Sequence, residues 1–322
     1  MNDNQALISS PASGPGALAL FIGRICAGLQ SEHSRRAYER GMREFAAFMS
    51  EKREAPSKGL LNEFKLKLRN DGRGDAAINS ILVATRRFLK EAADAGMLDP
   101  VEVERAVKVE GITRRGARAG NWLTSEQCER MLQLPDVTTA MGLRDRAILA
   151  LFLGAGIRRG EAVNLTVEHF QMREGRWCIV DILGKRNKLR TIPIPAWTKA
   201  IVDLWLAAAG ITGGLVCRVA TRAKDSARDK FKVDDAPLSA QAIFRVVVRY
   251  AGKVGVPSLR PHDLRRTFAQ LSRKGGAALE QIQLTLGHES IATTERYLGS
   301  RLDYQNSAAD HLGLNVRVSE SV

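Results

Sequence analysis

The sequence predicts a mainly α fold in two helical domains, the second carrying one small antiparallel β-sheet, and three observations lead there. Apolar residues recur at helical spacing in two N-terminal stretches, one from Ser34 to Lys52 and one from Ala77 to Ala95. A basic segment without periodicity, VEGITRRGARAGNWLT, separates them from the remainder of the chain. In the second half, only RWCIVDIL and KLRTIPI, on either side of the polar turn GKRN, read as strands. At 322 residues the chain is long enough for two cores.

Residues 1–15, MNDNQALISSPASGP, are polar and rich in Pro, Gly and Ser, which predicts a disordered N-terminus. Tyr38, Met42, Phe45 and Met49 share one helical face, with Arg35, Arg36, Arg40 and Arg43 around the other. A helix over Leu60–Leu68 fits next. Ala77–Ala95 turns Ile78, Ile81, Leu82, Thr85, Phe88, Leu89 and Ala92 inward and ends at Gly96 as a C-cap. Residues 16–108 are therefore expected to form a helical bundle and 109–121 a basic linker.

Thr124 with Gln127 three residues on makes a capping box, opening a second domain over 122–312 with a helix at Ser125–Leu132. Asp145–Leu153 reads as another helix, and the hairpin holds Lys185 at its apex. Ser239 caps a long helix to Lys253, and helices follow over Leu264–Lys274 and Leu279–Leu286. Beyond Leu298 the stretch SRLDYQNSAADHLGL suits a short helix. Its Leu302, Ala309 and Leu312 would either dock on a neighbouring protomer or pack on their own chain. Residues 313–322 are read as a flexible tail. No internal repeat is present.

Composition narrows the class of partner. Lys and Arg number 49 against 35 Asp and Glu, a net charge of +14, and a protein this basic is built to meet a polyanion, a reading stronger than a surface tuned for solubility. The segment Arg218–Lys232, with six basic and two acidic residues, is either a solvated loop or a DNA-contacting insertion. Four cysteines, Cys26, Cys128, Cys178 and Cys217, form no C-x-x-C pair and read as buried, reduced thiols. No Lys or Arg precedes Arg24, so the apolar ALALFIG lacks the basic start of a signal peptide. The longest apolar run, near Ala147–Gly156, is too short to span a bilayer. A cytoplasmic protein without membrane attachment is expected. The five histidines lack metal-ligand spacing and no P-loop occurs, so no cofactor, metal or ATP is implied.

The chemistry concentrates between Pro261 and Leu298, in PHDLRRTFAQLSRKGGAALEQIQLTLGHESIATTERYL. Arg265 offers a planar fork for phosphate oxygens, His262 and His288 can donate to a charged oxygen or move a proton, and the Tyr297 phenol can attack. Pro261 fixes a helix start, which aims the first turn at an anion. Upstream lie Arg158, in GAGIRRGE, and Lys185, in LGKRNKLRTIPI. Each has a plainer reading. GAGIRRG approximates a dinucleotide-binding loop, but its spacing is one residue too long and no strand–helix alternation continues around it. Arg158 paired with Glu161 would be held rigid, which suits phosphate binding. Lys185 alone would be an ordinary turn lysine, and Lys188 competes with it. Among four tyrosines, Tyr38 belongs to the first core and Tyr304 is the rival nucleophile.

Taken together, in order and once each, these motifs resemble the tyrosine recombinases of the integrase family. Its signature is an Arg in a G-[LI]-R-x-x-E turn, a Lys in a β-hairpin, H-x-x-R, then L-G-H and a Tyr about nine residues on. The family usually has Ser or Thr before the Glu, where this chain has Gly160.

The resemblance implies an N-terminal, SAM-like core-binding bundle and an integrase-type catalytic domain. It implies Arg158, Lys185, His262, Arg265 and His288 as the charged pocket, with Tyr297 as nucleophile. The implied activity is site-specific recombination of double-stranded DNA through a 3′-phosphotyrosine and a Holliday junction. A homotetramer would carry it out on two recombination sites, with accessory DNA-bending or directionality proteins as further partners. The outcome would be integration, excision or resolution of a mobile element or replicon. Two other classes fit less of the sequence. A non-catalytic DNA-binding protein leaves the polar set unexplained, and a type IB topoisomerase-like relaxing enzyme leaves the apolar tail unexplained.

Overall fold

The computed structural model describes residues 15–29, 31–113, 121–184, 188–222 and 231–298, with the backbone alone at 15, 33, 222, 231, 296 and 297. Two compact units divide between Gly116 and Ala117.

The first unit is all helical: α1 (Pro15–Ala27), α2 (Glu32–Lys52), α3 (Lys58–Asn70), α4 (Asp75–Asp94) and α5 (Pro100–Ala106). Side-chain caps set three of the starts, with Ser31, Ser57 and Asp99 accepting from backbone N–H groups one turn on. Gly96, in the left-handed conformation at φ 70°, ends α4 as its position predicts. The α2 face of Met42, Phe45 and Met49 is buried, with Tyr38 packed at its edge, while Arg35, Arg36, Arg40 and Arg43 stay exposed. Phe45 and Phe64 meet edge to face at 5.2 Å. At Gly41 a Cβ would lie 3.1 Å from the Ala84 Cβ, so this glycine lets α2 and α4 approach closely.

The second unit is built around α7 (Ala140–Ala155), preceded by α6 (Ser125–Gln133), whose Thr124–Gln127 capping box forms in both directions. Every residue from Ala147 to Ile157 is buried, so α7 is a central helix with neighbours on all sides rather than an amphipathic surface one. Against it lie α9 (Ala196–Ala209), α10 (Ala240–Lys253) and α11 (Pro261–Lys274). A Cβ at Gly154 would fall 1.9 Å from the Thr198 Oγ1, which is why α9 can cross there. Short α8 (Arg159–Val163) follows α7, and α12 (Leu279–Leu286) and α13 (Ile291–Leu298) close the described chain.

Both sheets lie in this unit. The predicted hairpin is β2 (Arg176–Leu183) and β3 (Leu189–Pro193), with Ile179 opposite Ile192, Leu183 opposite Leu189 and a shift of register between Ile179 and Ile182. A short β1 (Phe170–Arg173) pairs with the other edge of β2, giving order β1–β2–β3. The expectation of a single sheet is corrected by a second one, in which β4 (Arg218–Arg222) pairs antiparallel with β5 (Phe231–Pro237). Both ends of the basic segment, expected as a solvated loop or a DNA-contacting insertion, are thus strands. Their polar composition hides the alternation, and pairing with each other supplies the order. Residues 223–230 lie outside the described residues, as do residues 1–14 and 299–322, which include the predicted tail helix and Tyr304.

All four cysteines are buried and free, and burial pushes the Cys128 and Cys217 thiols up to about 12. Among the described residues no helix is long and apolar enough to cross a membrane.

Candidate active site

Four helix ends and a hairpin meet in the second unit. Gly156, at φ 58°, stops α7 and releases the chain into the turn that holds Arg158. Arg158 is the N-cap of α8, and Glu161 reaches back to it twice, through the backbone N–H at 2.7 Å and the guanidinium Nη1 at 2.8 Å. The pairing of Arg158 with Glu161 is therefore present. Nothing lies within 4 Å of where a Cβ on Gly160 would sit, so the departure from the usual Ser or Thr costs no packing.

The side chain of Glu161 is only 6% exposed and takes a second guanidinium, with Arg190 Nη1 and Nη2 donating to its two oxygens at 2.9 and 2.8 Å. Burial alone would raise its pKa. Hydrogen bonds and charge from Arg190, then Arg158, outweigh that and hold the carboxyl down at about 2.

The turn after α12 is where the motifs interlock. Gly287 adopts φ 60°, and its N–H and that of His288 close the turn onto Leu284 and Gln283. The helix then presents three successive carbonyls that no helical N–H can reach. Each accepts from a different arginine: Thr285 from Arg190 Nε at 2.9 Å, Leu286 from Arg265 Nη2, and Gly287 from Arg158 Nη2 at 3.3 Å. Arg265, 1% exposed, also donates to the Gly156 carbonyl at 2.6 Å, tying the end of α7 to the end of α12. Cations at a helix C-terminus are electrostatically favoured, which helps to hold like charges together.

His288 sits on the next residue, its Nδ1 2.9 Å from the Oγ1 of buried Thr294 in α13. Burial first, then Arg265, Arg158, His262 and Arg190, lower its pKa to about 4. The ring is thus neutral at pH 7. His262, on the first turn of α11 behind Pro261, has its pKa lowered by desolvation and then by Arg265, although one side of the residue faces solvent.

Arg158, His262, Arg265 and His288 are therefore brought together. Lys185 lies outside the described residues. Its neighbour Gly184 donates to the Lys188 carbonyl at 2.8 Å, and a Cβ there would lie 3.8 Å from Arg158 Nη1, so the base of that turn borders the site. Tyr297 is on α13, and only its backbone is described. That helix is anchored by Leu298, which packs with Ala269, Ile282 and Leu286 and whose carbonyl accepts from Gln270 at 2.5 Å. Sequence reasoning missed Arg190, Thr294 and Gln270. An arginine within the short strand KLRTIPI was the one available signal, since a charged residue in a half-buried strand needs a partner.

A helical domain gathered around a buried central helix, with a three-stranded antiparallel sheet at its side, is the catalytic-domain fold of integrases and recombinases. The XerH site-specific recombinase, solved bound to palindromic difH substrate as a post-cleavage complex, shares it with a TM-score of 0.68 at 19% identity, covering 88% of this chain and 92% of that one. Residues 121–302 match the phage integrase family. The chain belongs to that family. A tyrosine recombinase XerD from Xanthomonas axonopodis pv. citri is 35% identical over 193 residues, 59% of this chain and 62% of that protein, so the match spans less than two thirds of that relative. A XerD from Halalkalibacterium halodurans is 32% identical over 238 residues, 71% of this chain and 73% of that protein.

Proposed function

We propose that the protein is a site-specific DNA recombinase acting through a 3′-phosphotyrosine. The observation that carries the reading is the interlock at α12, where Arg158 and Arg265, from two separate motifs, both donate to the turn that bears His288. That arrangement suits a tetrahedral phosphorus acquiring negative charge, since donors fixed in advance are each worth roughly 3 to 4 kcal/mol to such a transition state.

The Tyr297 oxygen attacks the phosphorus while the bond to the 5′ oxygen breaks. His262, whose pKa burial and then Arg265 lower, accepts the phenolic proton. The His288 Nδ1 lies 2.9 Å from the Thr294 Oγ1, and the tautomer in which that hydroxyl donates leaves the ring proton on Nε2 to serve a non-bridging oxygen. Lys185 protonates the departing 5′ oxygen. A 5′ hydroxyl from another strand then reverses the step, expelling Tyr297. One phosphodiester replaces another, so no nucleotide cofactor is consumed, and two successive exchanges pass through a Holliday junction.

The organisation proposed is a core-binding domain over 16–108, a basic linker over 109–121 that lies along phosphates, a catalytic domain over 122–312 and a tail. Duplex recombination sites are the substrate, a tetramer assembles on two of them in the cytoplasm, and accessory DNA-bending or directionality proteins are the further partners. The basic face of α2, with Arg35, Arg36, Arg40 and Arg43 exposed, supports the duplex as partner. The test is trapping on a nicked suicide duplex carrying the site that footprinting defines, followed by peptide mapping. DNA attached at Tyr297, and lost in Tyr297→Phe, is the expected result. An adduct on Tyr304, or one that survives Tyr297→Phe, refutes the assignment.

A further inference from the structure

Arg190 is not among the residues that the motifs assign to the site, yet it touches two of those motifs and lies on the strand of a third. It is the second residue of β3, the strand that leaves the Lys185 turn. Its fork holds both oxygens of Glu161, the carboxylate that also fixes the Arg158 backbone and guanidinium. Its Nε holds the Thr285 carbonyl, in the helix turn that presents His288. Its Cδ would lie 2.9 Å from a Cβ on Gly287, so the turn is wrapped directly onto the arginine stem. With 9% of its side chain exposed, it is screened from solvent and from any substrate that contacts the surface.

We propose that Arg190 is a positioning residue, a brace that sets Arg158 and His288 at a fixed separation and ties both to the strand carrying the Lys185 turn. The proposal rests on the recombinase reading for its consequence in catalysis, but its geometric content does not. Three hydrogen bonds from one planar group, a pair to Glu161 and one to Thr285, fix the orientation as well as the charge of their partners. A lysine at this place would keep the charge beside Glu161 and could not span both the carboxylate and Thr285. The requirement is therefore for the fork, and charge alone does not satisfy it.

The experiment compares the full-length protein with Arg190→Lys and Arg190→Gln. Melting temperature, DNA affinity by mobility shift, and the single-turnover rate of adduct formation on the nicked duplex are measured, together with the His288 ring resonances by NMR without DNA. Arg190→Lys guards against a fold defect, because it leaves Glu161 with a cation. The expected result is a folded Arg190→Lys that binds DNA as the wild type does. Its rate at saturating DNA should be reduced roughly 100-fold, the cost of displacing reacting groups by about 1 Å, with half-saturation unchanged and His288 resonances shifted. Arg190→Gln should be at least as slow. A folded Arg190→Lys with wild-type rate and unshifted His288 overturns the brace. A wild-type protein that forms no adduct overturns the recombinase reading instead, and the DNA-free His288 spectra then still decide whether Arg190 holds the turn.

Discussion

Gly287→Ala is the substitution whose cost can be worked out most completely. Gly287 has φ 60°, a backbone state that costs an L-residue about 1 to 2 kcal/mol. The new methyl would also sit 2.9 Å from Arg190 Cδ and 3.3 Å from its Nε. Relieving that contact means moving either the turn or the arginine within a closely packed site, which typically costs a further 1 to 3 kcal/mol or so. Gly210 supplies the control, because it ends α9 at φ 64° with nothing within 4 Å of a Cβ. Gly210→Ala should therefore cost only the backbone part. Chemical denaturation, followed by a probe that reports the second unit, should show Gly287→Ala less stable than Gly210→Ala by roughly 1 to 3 kcal/mol. Adduct formation on the nicked duplex should fall sharply in the first and stay near wild type in the second. Equal stability losses together with equal rates would show that the turn tolerates displacement from Arg190, and the reasoning about the interlock would fail.

Three further outcomes can be measured. If Lys185 is the general acid, Lys185→Ala should cleave poorly on ordinary DNA and recover on a bridging 5′-thio phosphate, whose leaving group needs no proton; equal defects on both would assign it to binding. Neutralising Arg35, Arg36, Arg40 and Arg43 should make the dependence of log affinity on log salt shallower by up to about 0.9 per lost phosphate contact, and an unchanged slope would remove α2 from the DNA interface. His288 has a folded pKa of about 4, below its ordinary 6.5, so the unfolded chain takes up that proton first on acidification. Its contribution to stability is complete above pH 6.5 and lost as the pH falls towards 4, and His288→Gln should flatten the melting-temperature profile across that window, which a pH series of thermal melts would check.

Much of the scaffold was legible because its signals are local. Ser239 caps α10, Thr124 and Gln127 close their box, and Gly96 takes the left-handed state, all within a few residues of sequence. The same locality explains the failures. The strand Phe231–Pro237 carries Lys232, Asp234 and Asp235, so it shows no apolar alternation and is recognisable only through pairing with β4. The four-residue β1 is too short for a period to register. In the site, the residue types were readable from ordered motifs, whereas Arg190 was not, because its partners Glu161 and Thr285 lie 29 and 95 residues away. Only the folded chain brings that triangle together.

On the proposed reading, the end of α12 bears on how binding energy toward DNA is used. A cluster of arginines around two imidazoles would ordinarily scatter in the absence of an anion, and an incoming phosphate would then have to collect it. Here the helix terminus and one buried carboxylate act as a resident counter-ion, so the cationic cradle is assembled in the DNA-free chain. On that reading, affinity for the duplex is then not consumed in assembling the cradle. The Lys185 ammonium and the Tyr297 phenol, on the proposed reading, then act at a cradle already in place.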